Sequence, residues 1–296
     1  MDQRQRPAAP REAARITQML DQVLGIDRFD REPVAVKELM LEYSRVTAPE
    51  QPIVEVLEKD LEGCVGALVP SESLPRRWGV LYQRGQSVGR RNYTLGHEFG
   101  HWVLHRGLLE QAVYCTEADV FRKSGNDIER EADEFAANLL MPLHDFRRQL
   151  GPKDHPDFAA LRAMADRYGV SLTAAILRWL EYTETRAIML VSVDGYGDWS
   201  KSSKAAFKSR RYIRTKSEPF ELPAQSIAAR QDFEADESAT GILQPSGVWF
   251  DEPVVEMCIR ADRWDREITI LHFDGPEPVD QGEEPVEDVF DRFNQQ

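Results

Sequence analysis

Apolar residues recur with a helical period twice near the N-terminus. Residues 12–24 carry one such stretch and 33–45 a second, in which Val36, Leu39, Met40 and Tyr43 fall at i, i+3, i+4 and i+7. The texture then changes. "QPIVEVLEK" (51–59), "GCVGALVP" (63–70) and "RWGVLYQ" (77–83) are short β-like runs, and "RGQSVGRR" (84–91) is rich in turn formers. Helical period returns over 127–149, "DIEREADEFAANLLMPLHDFRRQ", with a break at Pro142, which has no N–H to continue the ladder. Residues 155–183 read as two helices around a Gly-containing turn. That outline resembles a helix-turn-helix, although an ordinary helical hairpin over a core accounts for it more simply. Past residue 185 the runs "RAIMLVSVDG", "GILQPSGVWF", "PVVEMCIR" and "EITILHFD" predict strands. The pattern therefore predicts an α+β chain in successive parts: a disordered lead-in over 1–11, a first domain over 12–150, the hairpin over 151–184, a β-rich domain over 185–273 and a tail over 274–296.

Composition narrows the class. With 296 residues, 42% hydrophobic and 30% charged, the chain can bury a sizeable core without covalent staples. No run of about 18 apolar residues suggests a membrane helix. The charged N-terminal stretch lacks the apolar core of a signal peptide, so the expected compartment is the cytoplasm. Cys64, Cys115 and Cys258 are far apart and odd in number, and read as free thiols. A net charge of −14 argues against general affinity for nucleic acid. The charge is uneven. Lys201 to Lys216 holds seven bases and no acid, a candidate docking surface or a solvated face. Asp274 to Asp291 holds eight acids, three prolines and two glycines without a base, the composition of a disordered tail.

The chemistry lies in "RNYTLGHEFGHWVLH" (91–105). On a helix, His97 and His101 sit one turn apart, about 6 Å along the axis, on one face, where two imidazoles can converge on Zn²⁺. Glu98 lies about 100° round the helix from His97, offset from the ligands yet within reach of a water at the ion. His105 stands roughly 12 Å from His97 along a straight helix, too far to join the same ion; packing or hydrogen bonding is its expected role. A third ligand is then sought among Glu129, Glu131, Asp133 and Glu134 on the second motif helix, whose Ile128, Ala132, Phe135, Ala136 and Leu139 form a buried face. Glu129 and Asp133, at i and i+4 on the edge of that face, suit a ligand and a carboxylate that orients a histidine. Tyr93 and Tyr114 are candidates to stabilise an oxyanion, with packed aromatics as the plainer reading.

"YTLGHEFGHWVLH" followed by "EREADEFAANLLMP" resembles the ImmA/IrrE family of zinc metallopeptidases, closely over 91–106 and 129–142 and loosely over about 34–180. Gly96 stands where Ala is common in the family and Asp133 where Asn is frequent. The resemblance implies a zincin-like domain with His97 and His101 as ligands, Glu98 as general base and acid, Glu129 as third ligand with Glu131 as runner-up, and Asp133 in support. It also implies a regulatory endopeptidase that cuts a helix-turn-helix repressor and so releases a stress or mobile-element response. Some members carry a GAF-type sensor where this chain has residues 185–273. Two alternatives stand beside it: a non-catalytic zinc-containing regulator that binds a partner, and a DNA-binding regulator using 157–184 and the basic stretch.

Overall fold

The computed structural model describes residues 8–109, 111–116, 127–215, 218–231, 233, 236–261 and 266–275. The acidic tail expected over 274–296 lies outside the described residues from 276 on, as do residues 1–7 of the expected lead-in. The chain divides into two compact units. One takes in residues up to Asp145 together with Ala165–Ser171; the other takes in Phe146–Met164 and the described chain from Leu172.

In the first unit, helix α1 (Ala9–Leu24) starts inside the expected lead-in. Its buried face is Ala9, Ala13, Ile16 and Thr17, and such small residues leave little hydrophobic signal in the sequence. Helix α2 (Val36–Thr47) buries Val36, Met40 and Tyr43 of the anticipated stripe. Ser44 near its end accepts the Ile53 N–H at 2.9 Å and so ties the helix to the first strand. Strands β1 (Ile53–Lys59), β2 (Gly66–Pro70), β3 (Trp78–Gln83) and β4 (Val113–Cys115) form a sheet of order β1-β3-β2-β4. Only β1 and β3 run parallel; β2 pairs antiparallel with β3 and with β4. The three-residue β4 is too short to show any alternation.

Helix α3 (Val88–His105) begins where the Ser87 hydroxyl accepts the Arg90 N–H at 3.4 Å. It packs along α4 (Asp127–Leu140), which ends just before Pro142, and α5 (Leu143–Gln149) follows. Phe99 joins these layers, with ring centroids 5.7 Å from Tyr43, 6.1 Å from Trp102 and 5.6 Å from Phe135. Gly100 permits the close approach of α3 to α4, because a Cβ there would lie 3.1 Å from both Cα and O of Ala132. Helices α6 (Phe158–Tyr168) and α7 (Leu172–Tyr182) follow at the two-helix pattern.

The second unit is built on a six-stranded antiparallel sheet of order β7-β6-β5-β10-β9-β8. Its strands are β5 (Arg186–Val193), β6 (Tyr196–Ser202), β7 (Phe220–Glu221), β8 (Ile242–Gln244), β9 (Val254–Ala261) and β10 (Arg266–Phe273). β5 and β10 are buried almost end to end, and their central runs are largely apolar. Short helices α8 (Lys204–Lys208), α9 (Ile227–Arg230) and α10 (Asp236–Thr240) lie along the connections. Ile188, Leu190, Ala206, Ile227, Cys258 and Leu271 belong to one core cluster there. In the basic stretch Arg211 is already paired, with Asp251 at 2.8 Å and Glu252 at 2.5 Å. Among the described residues no helix is long and apolar enough to cross a membrane.

Candidate metal centre

Three elements deliver side chains to one buried point. α3 brings His97 and His101, α4 brings Glu129, and the edge strand β4 brings Cys115. One donor atom from each of the four lies within 4.8 Å of all the others. The His97 and His101 Nε2 atoms are 3.0 Å apart, and Glu129 Oε2 is 3.0 Å from the first and 3.3 Å from the second. Cys115 Sγ is 3.5 Å from His101 Nε2. Both imidazoles and the thiol are fully buried and Glu129 is 5% exposed. The rotation of α4 puts Glu129 toward the imidazoles and Glu131 toward His105.

The far nitrogens of both imidazoles are held. Asp133 Oδ1 takes His97 Nδ1 at 2.9 Å. Glu131 Oε2 takes His105 Nε2 at 2.8 Å, and His105 Nδ1 in turn meets His101 Nδ1 at 3.2 Å. A carboxylate only accepts, so a neutral His105 donates from Nε2 and accepts at Nδ1. His101 Nδ1 is then the donor, and its Nε2 lone pair faces the cluster. His97 Nε2 likewise faces the cluster, where it carries a proton toward Glu129 or, once that proton is displaced, an inward lone pair. Carboxylate partners on the outer nitrogens are the usual means of fixing a metal-binding imidazole. His105 therefore orients another histidine, and helix spacing keeps it from the cluster itself.

The electrostatics favour a cation. Burial works against charge on His97, yet hydrogen bonds to Asp133 and Glu129 outweigh it and raise its pKa to about 10. Burial lowers His101 to about 4. Glu129 is opposed by burial too, but its bonds to His101 and His97 hold it well below the usual carboxylate range. The donor chemistry, two imidazoles with a carboxylate and a thiol, suits zinc.

Glu98 is fully buried, and neither carboxylate oxygen meets a donor at ordinary hydrogen-bond geometry, although the Cys115 thiol lies near enough to act on it as a weak donor. Burial raises its pKa to about 7, against the pull of His97 and the Cys115 thiol. Room for it comes from Gly66 on β2, where a Cβ would fall 2.4 Å from Glu98 Oε1 and 2.7 Å from Thr94 Cγ2. A buried carboxylate with no partner costs stability and calls for a reason.

Of the two anticipated tyrosines, Tyr93 packs against the Val65–Cys115 cluster with its hydroxyl 3.5 Å from the Asp133 carbonyl oxygen, and Tyr114 is largely exposed. Cys115 was read from sequence as an isolated thiol, since nothing local marks it. The pairing of β4 with β2 brings it to the cluster. Gly96 has neighbours at 3.4 Å, Ala136 Cβ and Leu140 Cδ1, so the space is snug but fits the alanine common in the family.

Comparison with known proteins completes the picture. No curated protein matches the chain. Among solved structures, a Mycobacterium tuberculosis transcriptional regulator is similar with a TM-score of 0.51 and 12% identity, over 89% of this chain and 75% of that one, a likeness of fold alone. Residues 49–180 match the IrrE N-terminal-like peptidase domain, a span that holds the four-stranded sheet, both motif helices and all four clustered donors. Through residues 49–180, the chain carries an IrrE N-terminal-like peptidase domain.

Proposed function

We propose that this chain is a zinc-dependent, site-specific endopeptidase whose substrate is a protein regulator, a helix-turn-helix repressor of a stress or mobile-element response. The observation that carries the peptidase reading is the partnerless buried Glu98 beside the converging His97, His101 and Glu129. The peptidase-domain match over 49–180 supports a protein substrate, and the like fold of a transcriptional regulator agrees with a role in transcriptional control.

His97, His101 and Glu129 would hold the ion. When bound, zinc supplies a Lewis acid that acidifies water and polarises a carbonyl. Asp133 and the Glu131–His105 pair keep the two imidazole lone pairs directed inward. Glu98 accepts a proton from water as its oxygen adds to the peptide carbonyl carbon, then passes that proton to the amine nitrogen as the C–N bond breaks. The missing partners leave both Glu98 oxygens available for that transfer. The second unit, with its own sheet and core, suits a sensor or docking role. It contributes none of the clustered donors.

A non-catalytic zinc regulator is the second reading, favoured by the presence of a thiol in the donor group. It leaves the buried, unpartnered Glu98 without a purpose. Metal analysis tests the site itself. The wild type is expected to hold about one zinc per chain, and His101→Ala and Glu129→Ala about none. Loss of zinc in Glu131→Ala with retention in Glu129→Ala would reassign the third ligand, and equal zinc in His101→Ala and wild type would refute the site.

A further inference from the structure

We propose that Cys115 is a fourth, thiolate ligand of the ion, occupying the position that water and the substrate carbonyl need, so that the resting site is closed until the thiolate leaves. The inference rests on the metal-site reading above. A catalytic zinc site keeps three protein ligands and one open position, whereas four protein donors make a closed one. Here the fourth donor is at hand. Cys115 Sγ lies 3.5 Å from His101 Nε2 in the group that spans 4.8 Å.

The backbone places it there. β4 is an edge strand in register with β2 through Gly66↔Cys115, Ala67↔Tyr114 and Leu68↔Val113. The Cys115 carbonyl accepts the Val65 N–H at 2.8 Å. Strand alternation sends Tyr114 outward, at 61% exposure, and Cys115 inward, at 0%. The register also makes Cys115 the partner of Gly66, whose missing side chain leaves room for Glu98. One strand pair thus supplies both the space for the base and the thiol beside it. Glu98 is close enough to feel His97, Glu129 and Cys115, yet neither of its oxygens is partnered. Coordination gives the thiol proton to solvent; a water that displaces the sulfur can return a proton to it, and when a substrate carbonyl displaces it the proton comes back from solvent, so the site opens with no redox change.

Cobalt substitution of the full-length chain tests the ligand, with Co²⁺ as the probe. Wild type is expected to bind about one Co²⁺ per chain and to show a thiolate-to-cobalt charge-transfer band in the near ultraviolet. Cys115→Ser should lose the band while keeping the metal, and Cys64→Ser should keep both. Zinc-edge X-ray absorption on wild type needs no variant and should find one sulfur at about 2.3 Å. A stoichiometric metal with only nitrogen and oxygen around it, or a band that survives in Cys115→Ser, overturns the proposal while the site stands. Failure of wild type to bind either metal instead removes the site reading on which it rests. Acetohydroxamate titrated into the cobalt proteins tests closure. It should bind Cys115→Ser at least about tenfold more tightly, a gap of about 1.4 kcal/mol, and equal affinities would show that the thiolate blocks nothing.

Discussion

Glu98 in the first unit and Glu256 in the second are both fully buried carboxylates, and burial raises the pKa of each. Their surroundings differ. Glu256 on β9 accepts the Ile227 N–H at 2.8 Å, Gln244 Nε2 at 2.7 Å and Trp249 Nε1 at 3.0 Å, so its burial is compensated. Glu98 accepts from nothing by ordinary geometry. The first arrangement locks α9, β8 and the turn before β9 onto one strand. The second stores an unmet need beside a cluster of metal donors. The contrast separates a polar group kept for structure from one kept for chemistry, by counting donors alone.

The sharpest way to break that contrast is to neutralise each in turn. Glu98→Gln should leave zinc content and fold intact, with stability within about 1 kcal/mol, because at most a weak bond from the Cys115 thiol is lost. Cleavage of a helix-turn-helix partner should fall about 100- to 10,000-fold, because the amide cannot take the proton. Activity assay beside thermal melting and metal analysis reads all three, and an active Glu98→Gln would end the general-base assignment.

Glu256→Ala should do the reverse. It strands the Ile227 N–H and the Trp249 and Gln244 side-chain donors in a dry core, at a cost of about 2–4 kcal/mol. Zinc content should hold at the wild-type level. Denaturant unfolding measures the loss; an unchanged midpoint would show that water reaches those donors.

The same two sites mark how far sequence could be read. His97, Glu98 and His101 are fixed by spacing within one helix, so their shared face was legible. Glu129 and Glu131 are two residues apart, and which one faces the imidazoles depends on the rotation of α4 against α3, set by tertiary packing at Gly100, Ala132 and Phe135. Cys115 lies on a strand of three residues, where no period exists to be seen. Glu256 draws its donors from residues 227, 244 and 249, a convergence that no local pattern encodes. Among the elements, β5 and β10 were legible because both faces are buried and their central runs, AIMLV and ITIL, are largely apolar. β6, "YGDWSKS", is half-exposed and polar, and it escaped notice for that reason.

A smaller effect is expected from the carboxylates that orient the imidazoles. Asp133→Ala removes the bond to His97 Nδ1, and Glu131→Ala removes one bond to His105, which in turn meets His101. Each should weaken zinc binding about 10- to 100-fold without removing it, as read by competition with a chelator of known affinity. If Glu131→Ala binds zinc as wild type does, the Glu131–His105 pair is packing and does not hold the His101 tautomer.

The smallest effect concerns the two glycines of α3 that face α4. Gly96 and Gly100 are one turn apart, yet a Cβ would meet different neighbours at each. At Gly96 the nearest atoms are Ala136 Cβ and Leu140 Cδ1, both at 3.4 Å, at the edge of ordinary contact. At Gly100 they are the Ala132 Cα and O and the Phe135 Cδ1, at 3.1 Å, and two of those three belong to a backbone that cannot give without moving the helix carrying Glu129. Alanine in a helix interior is favoured over glycine by about 0.5–1 kcal/mol. Gly96→Ala should therefore gain stability of that order and leave zinc affinity untouched. Gly100→Ala should forfeit the same gain to the displacement of α4 and bind zinc more weakly, since Glu129 moves with the helix. Unfolding and zinc competition on the pair measure both. Equal stabilisation with unchanged affinity in the two variants would mean that the α3–α4 contact is loose, and that the position of Glu129 is held by its own contacts with the imidazoles.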